Sequence, residues 1–153
     1  MNSNSSTYQR FSTGFRWGIV ATVAMTSLML LGIATGLSPI PKPIPVALMG
    51  KLFGGGFPKA ALIVLGVVSH LAYGGVWGGV LARLSSPVTV AKGVVLALIL
   101  WLGMQVVVLP FLGWGVFGSS LTPKIAVATL VLHLVYGVTL GVLVDRNVGA
   151  EES

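Results

Sequence analysis

His70-Leu71-Ala72-Tyr73-Gly74-Gly75-Val76-Trp77-Gly78-Gly79-Val80-Leu81-Ala82-Arg83 decides the fold, because it occurs a second time as His133-Leu134-Val135-Tyr136-Gly137-Val138-Thr139-Leu140-Gly141-Val142-Leu143-Val144-Asp145-Arg146. The His, Leu, Tyr, both spaced glycines and the closing Arg keep the same offsets in the two copies. Each copy lies inside a long apolar run, so the recurring unit reads as a helix. Tyr at i+3 and glycines at i+4 and i+8 from the His fall on one stripe of that helix. The stripe carries a ring nitrogen, a phenol and a groove of small residues.

The composition says where such helices sit. The chain has 153 residues, 55% hydrophobic and 8% charged, with a mean hydropathy of +0.97; an average soluble domain carries about 25% charged residues. A membrane span needs about 20 apolar residues, so four spans with short connections use most of the chain and leave little for a soluble domain. Nine Lys plus Arg against three acids give a formal charge of +6. These charges are scattered and read as headgroup contacts and topology signals; no nucleic-acid footprint is present. Cysteine is absent, which excludes disulfides, Cys-ligated zinc and thiol chemistry.

Taken in order, residues 1–13 are polar and read as a flexible N-terminal tail. A four-span membrane domain is expected over 14–146, with spans at about 17–37, 60–82, 91–109 and 124–144, followed by a C-terminal tail at 147–153. Arg16 and Trp17 mark an interface before the first span. Prolines 39, 41, 43 and 45 end it. Val46 to Phe53 is too short to cross and reads as an interfacial helix before Gly54-Gly55-Gly56. Pro58 and Lys59 introduce the second span, Ser85-Ser86-Pro87 turns into the third, and Pro110, Gly113 and Gly115 loosen its end. The fold expected is therefore an all-α integral membrane protein, its four helices arranged as two tandem hairpins. The second and fourth spans then run parallel, related by an axis along the membrane normal.

His70 and His133 fall near the middle of their spans, the costliest depth for a polar group. A neutral imidazole there has one donor and one acceptor to satisfy. Tyr73, Tyr136 and Gln105, with Thr22, Thr26 and Thr129, are the available partners, and hydrogen bonding across helices is their plainest role. Gly74 and Gly78, like Gly137 and Gly141, let backbones approach closely, and mark where the second and fourth spans meet each other or a shared partner helix. The same two histidines are the candidates for cofactor binding, since facing imidazoles can ligate haem b iron axially. Two His without a carboxylate or thiolate make a poor zinc site, so no metal site is expected. All three acids, Asp145, Glu151 and Glu152, lie at the C-terminal end. Carboxylate-based proton antiport, aspartyl proteolysis and carboxylate-lined cation paths thus lose their central residue. Ser69 and His70 are neighbours in sequence and point apart on a helix, so they form no catalytic dyad. No catalytic residue is expected and the chain reads as not an enzyme.

Gly18-Ile19-Val20-Ala21-Thr22-Val23-Ala24-Met25-Thr26, Leu109-Pro110-Phe111-Leu112-Gly113-Trp114-Gly115-Val116-Phe117-Gly118 and the two His-Leu-x-Tyr-Gly-x-x-x-Gly stretches resemble a family of uncharacterised small prokaryotic membrane proteins, and more distantly YagU-like inner-membrane proteins. The resemblance covers most of the chain. It implies a four-helix integral membrane domain and brings no substrate, cofactor or catalytic residue.

The function expected is that of a non-enzymatic multi-pass protein of the cell membrane, a structural or accessory subunit packed through the His/Tyr/Gly seam. Its partners would be the lipid bilayer and either further copies of itself or a larger membrane complex. A small transporter or proton-conducting module with the histidines as relay groups is the alternative, and a bis-His haem b electron-transfer protein the third reading. Arg10, Arg16, Arg83, Lys92 and Arg146 outnumber Lys42, Lys51, Lys59 and Lys124. The positive-inside rule therefore puts both termini in the cytoplasm.

Overall fold

Runs of apolar residues form the helices, and proline and glycine separate them. The computed structural model describes residues 3–54 and 56–151, with side chains described for 7–54 and 56–147. The helices are α1 (Ser3–Ala34), α2 (Ile44–Phe53), α3 (Lys59–Leu84), α4 (Val90–Phe111) and α5 (Lys124–Glu151). No strand occurs among the described residues. Thr7–Ala34, Lys59–Leu84, Val90–Phe111 and Lys124–Asn147 are each long and apolar enough to cross a membrane.

The boundaries follow local chemistry. Gly36, at φ +73°, turns the chain out of α1, and the proline run keeps it out of helix until α2, which carries Pro45 in its first turn. The Thr89 hydroxyl accepts the Lys92 backbone N–H at 3.3 Å and caps α4. Within α4, Met104–Val108 form a π-helical segment in which the Leu109 N–H reaches back to the Met104 carbonyl. Pro110 explains it: the ring lacks an N–H and crowds the carbonyl four residues back, and the wider turn relieves both problems.

α1 runs along α3, α4 runs along α5, and α1 also lies against α5; α2 packs on α3. By contrast α3 and α4, neighbours in the chain, scarcely touch. Leu109, Ile125, Leu140, Val88 and Val144 are fully buried between these elements. Outward faces are apolar as well: Leu31, Val64, Ile99 and Val127 are each at least 60% exposed. Such a surface is costly in water and suits hydrocarbon.

Both tails differ from the sequence expectation. From Ser3 onward the N-terminal stretch is the beginning of α1, and from residue 7 on its side chains are engaged. Arg10 donates from Nε to the Ala82 carbonyl at 3.1 Å and from its terminal nitrogens to the Ser85 carbonyl at 2.6 Å and the Ser86 hydroxyl at 3.0 Å. The last turn of a helix leaves carbonyls without intrahelical donors, and Arg10 supplies them. Phe11 and Phe15 lie over Gly79 and Gly75. A reading by polar content misses a segment held by one arginine and two rings. At the other end α5 continues to Glu151, with the Asn147 amide donating to the Leu143 carbonyl at 2.6 Å. Residues 1–2 and 152–153 of the expected tails lie outside the described residues.

Candidate functional site

The glycine stripes fix how closely the backbones pack. A Cβ added at Gly18 would meet the Gly74 carbonyl and the Gly75 Cα, and one at Gly14 would meet the Gly78 carbonyl and the Ala82 side chain. In the second copy a Cβ at Gly93 would meet the Gly137 carbonyl, and one at Gly141 would stand 2.6 Å from the Cα of Val90. Each stripe therefore faces the preceding long helix, α1 for Gly74 and Gly78, α4 for Gly137 and Gly141. The expectation that the stripes mark a meeting of the second and fourth spans, or one shared partner helix, is corrected accordingly. The closest approach occurs where both surfaces are small, and α1 and α4 carry their own small pairs, Gly14-x-x-x-Gly18 and Gly93-x-x-x-Ala97. That signal lies in the sequence, outside the repeated stretch.

α3 and α5 do touch, through side chains laid over the glycines. Leu140 reaches Gly78 and the Tyr136 ring reaches Gly74. The Tyr136 hydroxyl donates to the Gly74 carbonyl at 2.7 Å. Its repeat equivalent behaves differently: Tyr73 is half exposed, with its ring edge against Trp77 at 6.2 Å between centroids.

The histidines are held from different sources. His70 Nδ1 lies 3.4 Å from the Thr26 hydroxyl of α1. His133 Nδ1 lies 2.8 Å from the backbone carbonyl of Thr129, one turn earlier on its own helix. A carbonyl only accepts, so His133 carries its proton on Nδ1 and, in the neutral ring, shows a lone pair on Nε2. Neither Nε2 has a partner among the described residues.

Gln105 belongs to a second polar cluster. It is fully buried, donates from Nε2 to the Thr129 hydroxyl at 2.8 Å, and its Oε1 has no partner among the described residues. The Trp101 indole N–H is shared between the Ala126 carbonyl at 3.1 Å and the Thr129 hydroxyl at 3.3 Å. Thr129 thus joins the two groups. Its hydroxyl ties α4 to α5 while its carbonyl orients His133.

His70, Tyr73, His133 and Tyr136 line one cavity of about 460 Å³, the size of a small-molecule site. Gly74 also lines it, whereas Gly78, Gly137, Gly141 and Gln105 do not. Thr22, Thr26, Ser69 and Thr129 add hydroxyls, and no charged side chain is present. Most of the remaining wall is apolar, including Met25, Met29, Met49 and Met104. Those methionines come from α1, α2 and α4, so only packing brings them together and no local pattern could have marked them. Among the described residues no group of three or more His, Cys, Asp or Glu is placed to hold a metal ion. The arrangement can hydrogen-bond an uncharged group in an apolar space.

Neither curated proteins nor solved structures provide a match to this chain. One family model does, over residues 8–153, nearly the whole length. The chain belongs to that family, DUF6789, a family of unknown function.

Proposed function

We propose that this chain is a non-enzymatic, multi-pass protein of the prokaryotic cell membrane, built as two tandem helical hairpins and serving as a structural or accessory subunit. The observation that carries the reading is the use made of the duplicated seam. In both copies the glycines let one helix lie directly on the backbone of its neighbour, and Tyr136 ties the second copy to the first. In lipid no hydrophobic force draws helices together, so close packing and interhelical hydrogen bonds must supply the association. The conspicuous residues of the repeat are spent on that task.

The matching contacts support a hairpin repeat. Gly18 on Gly74 and Gly93 on Gly137 are counterparts under it, and both pairs join a first helix to a second. The more distant likeness to YagU-like inner-membrane proteins fits the same architecture. Both termini then lie in the cytoplasm, on the side richer in Lys and Arg; terminal reporter fusions that fluoresce only when exported should stay dark, and a bright fusion would reverse the orientation. The accessory role is tested by isolating the chain from its native membrane in mild detergent. A defined partner in constant ratio is expected, while a monomer with no companion would contradict it.

The cavity beneath the two histidines favours a second reading, a small transporter or proton-conducting module. A conductance or pH-driven flux in liposomes that is lost in His→Leu variants of normal stability would favour it. Haem b between the histidines is a weaker fit, because Gly74 and Gly137 beside them are already covered by Thr22, Tyr136, Gly93 and Ala97. A Soret band in the purified protein would restore it.

A further inference from the structure

The four long helices form an incomplete ring. α1 joins α3 to α5 and α5 joins α4, but α3 and α4 scarcely touch. The cavity takes wall from both of these separated helices. Tyr73 on α3 and Val107 on α4 line it and are also 51% and 64% exposed, which places them at its mouth. A mouth between two membrane-spanning helices opens sideways, toward hydrocarbon.

What fits is set by three features. With no charged side chain in the wall, an ionic ligand would lose its hydration without gaining a counter-ion. The methionine thioethers adapt to irregular apolar shapes. The decisive feature is His133, whose Nδ1–H is committed to the Thr129 carbonyl, so that its neutral ring offers Nε2 as an acceptor. A hydrocarbon or a ketone has nothing to donate to it; a hydroxyl has. His70 faces the same space: its Nδ1 lies 3.4 Å from the Thr26 hydroxyl, which leaves its Nε2 to meet the ligand, as donor or acceptor according to the tautomer.

We propose that the space between α3 and α4 is a binding site, entered laterally from the bilayer, for an uncharged lipid-soluble alcohol or phenol whose hydroxyl donates to Nε2 of His133. This inference rests on the bilayer placement proposed above and goes beyond the packing role of the seam.

The chain has only two histidines, so imidazole ¹⁵N spectra of the ¹⁵N-histidine-labelled full chain in detergent report on both without crowding. The probes are 1-dodecanol, 2-dodecanone and dodecane; the His133 signal is the one lost in His133→Gln. Dodecanol should shift the His133 Nε2 resonance saturably, and the ketone and alkane should not. Gly103 lines the cavity, yet a Cβ there would meet nothing within 4 Å. Gly103→Leu should therefore enter the space without a clash at its Cβ, narrow it, and raise the half-saturating dodecanol concentration at least tenfold. Equal shifts with all three probes, a drift that never saturates, unchanged binding in Gly103→Leu, or an iron-bound Nε2 in the protein as isolated would each overturn the site. Membrane integration is scored separately by resistance to alkaline extraction. Release there overturns the bilayer reading, whereas retention with no His133 response overturns the site alone.

Discussion

Gly141 lies where α5 crosses the start of α4, and replacing it measures how tightly the seam is closed. A Cβ there would stand 2.6 Å from the Cα of Val90 and 3.0 Å from the Thr89 carbonyl. Ordinary contact begins near 3.4 Å, so the backbones must separate by about 0.8 Å. No flexible side-chain end is available to swing away. Overpacking of this kind costs about 1–3 kcal/mol, against which alanine's better helix propensity returns about 0.8–1.0 kcal/mol. Gly141→Ala should therefore lose up to about 2 kcal/mol net, and Gly141→Leu more, since three further carbons enter the same gap. Gly78 is equivalent, with the Gly18 Cα at 2.8 Å from its added Cβ. Gly32 is the control: its Cβ would meet only the Ser38 side chain at 3.5 Å, so alanine there should be neutral or stabilise by up to about 1 kcal/mol. Unfolding by dodecyl sulfate titration of the detergent-solubilised chain, followed by far-ultraviolet circular dichroism, gives the order. Equal losses for leucine at 32, 78 and 141 would refute the reasoning.

Two further outcomes follow from the hydrogen bonds. Tyr136→Phe should cost about 0.6 kcal/mol and at most about 1.7 kcal/mol, because it removes the bond to the Gly74 carbonyl, while Tyr73→Phe should cost nothing measurable in the same titration; matching losses would contradict the unequal roles of the two phenols. Thr129→Val should cost about 1–3 kcal/mol by stranding the buried Gln105 amide, whereas Gln105→Leu should cost less, since it also removes an oxygen that already lacks a partner. The reverse order would show that Gln105, and not Thr129, anchors the cluster.

The long helices were legible because lipid demands a simple signal: about twenty apolar residues without charge. Interruptions were equally plain, since proline and glycine act through the backbone alone. The start of α1 was not, because what holds it is long-range. Arg10 bonds to residues more than seventy positions away, and nothing local marks it as a cap. The site was half legible for the same reason. Symmetry of the repeat named His70, Tyr73, His133 and Tyr136, and all four line one cavity. Symmetry could not say that one tyrosine is buried and bonded while the other is half exposed, nor that Gln105 faces a different cluster. Those outcomes depend on which neighbour each helix meets.

The difference between the copies has a physical origin in α2. Thr129, which orients His133, has Gly66 as its counterpart at the repeat offset of 63 residues. A Cβ at Gly66 would meet the Val46 backbone at 3.0 Å and the Pro45 carbonyl carbon at 3.1 Å, so the missing side chain is what lets α2 settle on α3. Only the first copy is followed in space by such an added helix. Without a threonine at 66 the first copy has no hydroxyl hub like that of Thr129; the Gly66 carbonyl accepts from the Ser69 hydroxyl at 3.1 Å, and His70 meets Thr26 on α1 instead. At the same time α2 brings Ile44, Pro45, Leu48 and Met49 into the cavity wall. One short helix thus breaks the symmetry of the duplicated hairpin. It leaves two histidines with different hydrogen-bonding partners on one apolar space, which an exact repeat would have made equivalent.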